Sequence, residues 1–302
     1  MTKARKFIKK YWIAYLELLP FTILFFLFTV VPVGIAVIMS FTNYNMFGML
    51  DFVGIQNDKT LFLGDEIFIK ALSNTLIFAV IVGPAGYLLS FFAAWVLNMM
   101  KFRNGFALIF YAPSIISGVA MSVVWSYIFS SDSHGLINNA LIEFGIIDGP
   151  VLWTQDPNYI LPVIIIVSIW MSMGTGFLVF LAGLQNINRE YYEAAEIDGI
   201  SNKYQELKYI TLPSMKPQLL FGAVNAVTNA FGVFEVSVTM VGFPSPNYAG
   251  HTIVTHLYDY AFVRLQMGYA CSVATILFII TFVIGRGVMK ALSEKDEKAV
   301  KK

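Results

Sequence analysis

Six long apolar segments divide the chain, and each is long enough to cross a membrane as a helix. A transmembrane helix needs about 20 consecutive, predominantly apolar residues. The segments lie at 14–40, 72–99, 106–130, 159–185, 218–241 and 269–290. Because a backbone in lipid must satisfy its own hydrogen bonds, this pattern predicts an all-α polytopic membrane protein with six transmembrane helices.

The composition points to the same class of protein. Hydrophobic residues make up 57% of the 302 residues and charged residues only 13%, whereas a soluble domain carries about 25% charged residues. The net charge of +1 gives no sign of a nucleic-acid partner. The single Cys271 excludes a disulfide framework and a cysteine-based metal cluster.

The Lys and Arg residues are spread unevenly over the segments that connect the spans. If the N-terminus is cytoplasmic, 17 of the 20 lie in cytoplasmic segments. The three that then lie outside are Lys59, Lys70 and Arg264. Because basic connecting segments are retained in the cytoplasm, this distribution predicts that both termini are cytoplasmic.

This topology divides the chain into three regions. We expect a basic cytoplasmic N-terminus at 1–13, a six-span domain at 14–290 and a charged cytoplasmic tail at 291–302. The expected location is the bacterial cytoplasmic membrane, which the chain crosses several times. The surrounding lipid bilayer is therefore its first predicted partner.

A charged loop, residues 186–217, lies between the fourth and fifth spans and carries nine charged residues. Its first part, Glu190 to Asp198, predicts a short helix that ends at Gly199. A second short helix is predicted at Ser201 to Tyr209, before Pro213 stops it. The pair would form a protrusion that a soluble partner can grip; the alternative is an ordinary amphipathic loop lying on the membrane surface.

The residue order within the charged loop is specific. Glu193-Ala194-Ala195, three further residues, Gly199, and then Ile210-Thr211-Leu212-Pro213 resembles the EAA loop of permease subunits of binding-protein-dependent ABC importers. In one respect the loop departs from that pattern. Ten residues separate Gly199 from Ile210, where nine is commoner, so the turn or second helix is one residue longer.

The resemblance implies what the charged loop does. In that family the loop forms coupling helices, which dock into a groove of the ATPase subunit and lie on the cytoplasmic side between spans 4 and 5. The residues that this implies for ATPase coupling are Glu193, Ala194, Ala195, Gly199, Leu212 and Pro213. It also implies a second permease subunit, most simply a different chain, a dimer of ATPase subunits and an extracellular solute-binding protein.

The resemblance covers nearly the whole chain and is closest to carbohydrate permeases. The matching stretches include Phe52 to Asn57, Ser73 to Thr75, Ala112-Pro113 and Met267 to Ala270. They are similar to permeases of oligosaccharide importers, with the maltose transporter as the familiar case, and of glycerol-phosphate importers. The substrate class that this implies is a carbohydrate, most simply an oligosaccharide.

The chain has no Gly-x-x-x-x-Gly-Lys-Ser/Thr sequence to hold nucleotide phosphates. We therefore expect a permease that is not an enzyme, with no catalytic residue and no cofactor of its own; partner ATPase subunits would bind ATP and Mg²⁺. The histidines, His134, His251 and His256, lie in predicted outer loops. His251 and His256 are five residues apart, which suits two metal ligands on one helix face poorly, so no metal site is expected.

Polar residues recur at helical spacing along the fifth span. Because polar groups are costly in lipid, they must face protein or a water-filled cavity. Asn side chains both donate and accept hydrogen bonds, which suits sugar hydroxyls, although hydrogen bonding between helices would explain the same pattern. The predicted substrate-path residues of this span are Asn225, Thr228, Asn229, Gly232 and Glu235, of which the resemblance implies the first four as sugar-site positions.

The fourth span adds Trp170, Ser172 and Thr175 as substrate-path candidates. Trp170 would stack on a sugar ring or pack against neighbouring helices, and the two hydroxyls would bind substrate or bond back to their own helix. Glu235 would bind a substrate hydroxyl or pair with a group of the partner subunit. The sequence leaves each of these alternatives open.

The most consistent reading is the transmembrane subunit of an ATP-driven ABC importer that moves a carbohydrate inward by alternating access. One alternative is an ABC permease for another solute, such as glycerol phosphate; the absence of Lys and Arg deep in spans 2 to 5 favours a neutral solute. The other is an ion-coupled secondary transporter, which predicts intramembrane ionisable relays and an inverted repeat.

Overall fold

The computed structural model describes the backbone at residues 3–100 and 103–300, and the side chains at 11–100 and 105–293. Much of the predicted basic N-terminus at 1–13 and of the charged tail at 291–302 therefore lies outside the described side chains. Lys101 also lies outside. Within the described residues the chain is helical, and an isolated antiparallel bridge joins Thr42 to Phe52.

The helices follow one another with short connections. In chain order they are α1 Lys3–Phe25, α2 Val31–Met39, α3 Gln56–Leu63, α4 Glu66–Asn98, α5 Arg103–Ile115, α6 Gly118–Ile128, α7 Leu136–Glu143, α8 Pro157–Gln185, α9 Arg189–Ile197, α10 Lys203–Glu206, α11 Leu212–Ser214, α12 Lys216–Phe231, α13 Glu235–Val241, α14 Ile253–Tyr258 and α15 Met267–Val300. π-Helical turns lie at Phe26–Val30, Leu207–Thr211 and Asp259–Val263. The prediction of an all-α protein is confirmed.

Five stretches within the described residues are long and apolar enough to cross a membrane as single helices. They are Tyr11–Met39, Glu66–Asn98, Pro157–Gln185, Lys216–Val241 and Met267–Ser293. A sixth crossing exists only if the bent pair formed by α5 and α6 counts as one span. The number of spans is thus five or six, depending on whether the bent pair α5 and α6 counts as the third span.

The third apolar segment was expected to be one continuous helix, and it is broken instead. Gly105–Ile115 and Gly118–Ile128 are bent by 99° relative to each other. Ser117 at the break has an extended backbone, with φ −53° and ψ 134°. Pro113 just before the break lacks an amide hydrogen, and Gly118 just after it favours helix weakly, so local sequence permits the bend.

The chain divides into two compact units, Met1–Gly64 with Leu257–Ile276, and Asp65–His256 with Leu277–Lys302. In the first unit, Asn57 donates its side-chain amide to the carbonyls of Ser40 and Thr42 at 2.7 and 2.8 Å. The Ser272 hydroxyl donates to Asp58 in the same unit. The Phe52 to Asn57 stretch singled out in the sequence thus anchors the start of α3.

The second unit is built on α4 and α8. Phe78 of α4 packs with Ile160 and Ile164 of α8 in one buried cluster, and Phe177 and Phe180 of α8 pack with Ala93, Ala94 and Leu97 of α4 in another. The hydrophobic effect does not drive two helices together in lipid, because lipid tails are as apolar as the side chains. Close packing therefore has to hold α4 and α8 together. Small residues on α4 allow the large rings of α8 to fill the space between the helices.

Helix α12 approaches α8 through a glycine. A Cβ added to Gly222 would lie 2.6 Å from Cζ of Phe180 and 3.5 Å from Tyr87. Phe180 is fully buried, and its ring meets Tyr87 edge-on with ring centroids 5.3 Å apart. The ring therefore cannot move aside cheaply, and Gly222 sets the distance between the two helices.

The connection after α13 is held to α4 by a buried side chain. Asn74 is only 8% exposed, and its side-chain amide donates to the carbonyls of Tyr248, Ala249 and His251 at 3.1, 3.2 and 2.9 Å. The next residue of α4, Thr75, accepts a hydrogen bond from the amide of Ile253 at 2.9 Å. These bonds fix the 248–253 backbone on the helix.

We predict that Gly222→Ala lowers the free energy of unfolding by about 1–3 kcal/mol, because the added methyl group overpacks the contact with Phe180. Thermal unfolding of the purified protein in detergent measures this change. Gly285→Ala is the matched control, since a Cβ there meets nothing within 4 Å and alanine favours helix. Equal melting temperatures of the two variants would contradict the prediction.

We predict that Asn74→Ala loosens the 248–253 backbone, because the buried carbonyls of Ala249 and His251 lose their donor, at a cost of about 1–3 kcal/mol each when unsatisfied. Limited proteolysis of the folded protein should show faster cleavage within this segment. Asn139→Ala removes the same amide from an exposed position of α7 and serves as the control. Cleavage at the wild-type rate in Asn74→Ala would refute this role.

Candidate functional site

A cavity of about 920 Å³ opens in the second unit, lined by α4, α8, α12 and the start of α13. Its size falls in the range of small-molecule sites, about 300–1,000 Å³. The side chains that give it polar character belong to three helices and one helix break. They are Tyr87, Ser90, Ser168, Ser172, Thr175, Asn225, Asn229 and Glu235.

Six of the eight predicted substrate-path residues line this cavity. They are Ser172, Thr175, Asn225, Asn229, Gly232 and Glu235. Thr175, Asn225, Asn229 and Glu235 are exposed to it rather than buried against another helix. The structure thus brings together residues of α8 and α12 that are about 50 positions apart in the sequence, while their role in transport stays a prediction.

The other two predicted residues lie elsewhere. The Thr228 hydroxyl donates to the carbonyl of Val224 at 3.0 Å, one turn back on its own helix. Trp170 packs edge-on against Trp125, with ring centroids 5.4 Å apart. Trp170 thus adopts the packing alternative that the sequence left open. The back-bonding alternative left open for Ser172 is also present, because its hydroxyl donates to the carbonyl of Ile169 at 2.8 Å.

The spacing of the polar residues predicted that they all lie on one helix of the fifth span. In the structure they are divided between α12 and α13. Helix α12 ends at Phe231, and Phe234 has a non-helical backbone with φ −141° and ψ −60° before α13 begins at Glu235. The carbonyl of Val233 within this break accepts a hydrogen bond from the Thr252 hydroxyl at 2.9 Å. Gly232 still follows α12, since its amide donates to the carbonyl of Thr228 at 3.1 Å, whereas Glu235 lines the cavity from beyond the break.

One wall of the cavity was missed by the sequence analysis. It comes from α4 and contains Gly83, Gly86, Tyr87 and Ser90. These positions recur every three or four residues, so they share one helical face, and that spacing is the signal that would have found them. Small residues in a membrane helix usually mark packing, which is why they did not stand out.

The α4 wall also packs tightly against its neighbours. A Cβ at Gly86 would collide with the Ser172 hydroxyl of α8. The Tyr87 hydroxyl donates to the carbonyl of Leu219 on α12 at 3.3 Å. Ser168 is buried, yet its hydroxyl has no hydrogen-bond partner among the described residues. Because its oxygen is itself buried, the Ser168 hydroxyl is left unsatisfied among the described residues.

The cavity can bind a hydroxyl-rich molecule but offers no catalytic arrangement. Its amides and hydroxyls both donate and accept hydrogen bonds, as sugar hydroxyls do. Among the described residues that line it, Glu235 is the one Asp, Glu, Lys, Arg or His. Across the described side chains, no group of three or more His, Cys, Asp and Glu has the geometry to hold a metal ion.

The charged loop, the second candidate site, folds into two short helical segments. Asn188 caps α9 by accepting from the amide of Glu190 at 3.1 Å. Glu193 forms an exposed ion pair with Arg189 at 3.2 Å. Gly199 follows α9 with φ +90°, a conformation that residues with a side chain rarely adopt. The turn predicted at Gly199 is therefore present.

The predicted coupling residues of the charged loop differ in exposure. Glu193, Ala194, Gly199 and Pro213 are exposed, Leu212 is partly buried, and Ala195 is buried. Exposed apolar side chains on the same segment are Tyr191, Ile197, Tyr204 and Tyr209. An apolar, exposed surface of this kind is typical of an interaction site.

The charged loop is tied to the transmembrane core at its far end. The Tyr192 hydroxyl lies 3.0 Å from the Thr211 hydroxyl, which joins α9 to the second segment. Met215 is fully buried and belongs to the same cluster as Phe177 and Phe180 of α8. Packed side chains therefore connect the charged loop to α8, one of the helices that line the cavity.

Comparison with known proteins gives a consistent result. Residues 86–296 match the family described as binding-protein-dependent transport system inner membrane component. The chain is 36% identical over 287 residues to the probable ABC transporter permease protein YesP of Bacillus subtilis (strain 168), covering 94% of this chain and 91% of that protein.

A second relative and a solved structure agree with this match. The chain is 32% identical over 276 residues to the arabinooligosaccharides transport system permease protein AraP of the same organism, covering 89% of this chain and 85% of that protein. Its fold is similar to a chain of a bacterial ABC transporter involved in the import of the acidic polysaccharide alginate. That similarity has a TM-score of 0.78 at 26% identity and covers 97% of this chain and 99% of the other.

Proposed function

The chain belongs to the family of binding-protein-dependent transport system inner membrane components, and we propose that it is the transmembrane subunit of an ATP-driven importer for an oligosaccharide. The resemblance drawn from the charged loop is thereby confirmed at the level of the family. The observation that carries the substrate class is the polar cavity between α4, α8 and α12, combined with the relatives' names. Sugar permeases such as AraP match the chain over most of its length.

The cavity favours a neutral carbohydrate over the alternatives. Glycerol phosphate needs a cationic group, and no Lys or Arg lines the cavity among the described residues. An ion-coupled secondary transporter needs a relay of ionisable side chains in the membrane, whereas Glu235 stands alone. Family membership also argues against ion coupling, because the relatives are ABC transporter permeases.

We propose six spans with both termini in the cytoplasm, so that the bent pair α5 and α6 forms the third crossing. The distribution of Lys and Arg supports this topology. It puts the charged loop on the cytoplasmic side, where an ATPase is available. The location is accordingly the cytoplasmic membrane of a bacterium, with the chain crossing it several times.

In this proposal the charged loop receives the energy of ATP hydrolysis. Glu193, Ala194, Gly199 and Pro213 form the exposed surface that docks to the ATPase, and Ala195 and Leu212 pack behind it. Partner ATPase subunits bind ATP and Mg²⁺, because the chain has no phosphate-binding loop of its own. Movement of the docked loop reaches α8 through the buried Met215, and the cavity then opens alternately to the two sides of the membrane.

Other chains complete the transporter. A second permease subunit closes the cavity, since one unit of six spans does not enclose a pore. A solute-binding protein delivers the sugar from outside, as the family description implies. The described residues of this chain enclose the cavity only partly, which supports the first point.

We predict that Glu193→Ala uncouples ATP hydrolysis from transport, because it removes a charged group of the docking surface. Its ion pair with Arg189 is exposed and stabilises the fold little, about 0.3–0.5 kcal/mol, so insertion and assembly should survive. Sugar uptake into proteoliposomes should fall about tenfold, the loss expected for a central interface residue.

Two further variants sharpen this test of the charged loop. Gly199→Ala strains the backbone at φ +90° and should also reduce uptake, whereas Gly199→Asn should lose less because Asn tolerates this region. Glu143→Ala removes an exposed carboxylate at the end of α7 and should transport normally. Wild-type uptake in Glu193→Ala would remove the coupling assignment.

We predict that Asn229→Ala weakens sugar uptake about tenfold by removing an amide that faces the cavity, since one lost hydrogen bond in a binding site costs about 1–2 kcal/mol. Concentration-dependent uptake by the complete transporter measures the change as a higher KM. Asn98→Ala removes an amide from the end of α4, outside the cavity lining, and should leave KM unchanged. Unaltered uptake kinetics in Asn229→Ala would exclude it from the path.

A further inference from the structure

We propose that the Glu235 carboxylate is a charge filter, which binds hydroxyls of neutral sugars and rejects sugars that carry a carboxylate. The inference rests on the proposed sugar-import function and names the substrate class within it. Of the two roles that the sequence leaves open for Glu235, it selects binding of a substrate hydroxyl over pairing with a group of the partner subunit, because this side chain lines the cavity.

The carboxylate of Glu235 is available to a ligand. The residue starts α13 immediately after the helix break, is exposed, and lines the cavity. Among the described residues it makes neither a hydrogen bond nor an ion pair, in contrast to Glu193, which pairs with Arg189. An ionised carboxylate that is not paired within its own chain needs water or a ligand to supply hydrogen-bond donors.

Neighbouring residues hold this carboxylate at the cavity wall. Its Oε2 lies directly over Gly118, the first residue of α6, so closely that a Cβ on Gly118 would collide with it. Val236, the residue after Glu235, is buried in the cluster around α8. The broken third span thus leaves space for the Glu235 side chain. The packing of Val236 fixes the backbone of Glu235.

No described residue on the remaining walls of the cavity carries a positive charge. The polar side chains there are those of Tyr87, Ser168, Ser172, Thr175, Asn225 and Asn229. They are neutral, and the hydroxyls of Tyr87 and Ser172 donate to the backbone carbonyls of Leu219 and Ile169. A sugar hydroxyl can donate to the carboxylate, and such charge-assisted bonds are about twice as strong as neutral ones.

A sugar carboxylate in the same cavity meets a like charge, and no Lys, Arg or His side chain among the described lining residues compensates it. Two negative charges about 6 Å apart at an effective dielectric constant of about 20 disfavour binding on the order of a hundredfold. The alginate transporter that shares this fold is described as importing an acidic polysaccharide. The fold therefore serves acidic and neutral substrates, and the charge of the cavity lining is a means of separating them.

The test compares neutral and acidic forms of the same sugars. The complete purified transporter, without its solute-binding protein, is titrated by saturation-transfer NMR with neutral mono- to pentasaccharides. Each sugar is paired with its derivative in which one primary hydroxyl is oxidised to a carboxylate. For any sugar that binds, the wild type should bind the acidic form at least about tenfold more weakly than the neutral form.

Glu235→Gln should change the two affinities in opposite directions. The neutral sugar binds more weakly because a charge-assisted bond is lost, and the acidic sugar binds more tightly because the repulsion is gone. The ratio of the two dissociation constants should therefore fall at least about tenfold. Glu235→Asp keeps the charge and should keep the preference for the neutral form, whereas a purely structural role would weaken both forms together.

The outcomes separate this inference from the proposed function. If the wild type binds neutral sugars and Glu235→Gln retains the wild-type ratio, the charge filter is wrong and sugar import stands. If the wild type binds the neutral and acidic forms equally, the charge filter is also wrong and sugar import stands. If the wild type binds none of the sugars, the carbohydrate function fails and the inference falls with it.

Discussion

Polar groups at membrane depth must meet protein or water rather than lipid, and the second unit is arranged around this constraint. The apolar rings of α8 pack against small residues of α4, so that the polar side chains of both helices are left for one shared cavity. Asn225 and Asn229 on α12 face the same space. A polar stripe that lipid would penalise becomes the wall of a water-accessible site.

Helix breaks are the second consequence of the same constraint. Irregular backbone is tolerated inside a membrane only where it lies within protein or lines a cavity. The break between α12 and α13 lines the cavity, and the Thr252 hydroxyl satisfies the carbonyl of Val233. The break between α5 and α6 leaves room for Glu235 beside Gly118. The two interruptions therefore contribute to a single site.

Hydropathy predicts the fold well, because five long apolar helices need only length and composition to be recognised. The break at Ser117 was not predictable, since Pro113 and Gly118 permit a bend without requiring it. Asn225, Asn229 and Glu235 stood out because polar residues are rare in spans. Gly83, Gly86 and Ser90 did not, because small residues in a membrane helix have the same pattern whether they pack or line a cavity.

The wet, polar wall of the cavity limits how tightly a sugar can be held. In the proposed site, a sugar hydroxyl would replace water at groups such as Asn229 and Glu235, and each exchange of hydrogen bonds would gain only about 0.5–1.5 kcal/mol. Because only a few hydrogen bonds are exchanged in this way, the sugar would stay in the cavity for a short time. In the proposed importer, a weak site of this kind would release a sugar readily into the cell, and capture from dilute solution would then be the task of the solute-binding protein.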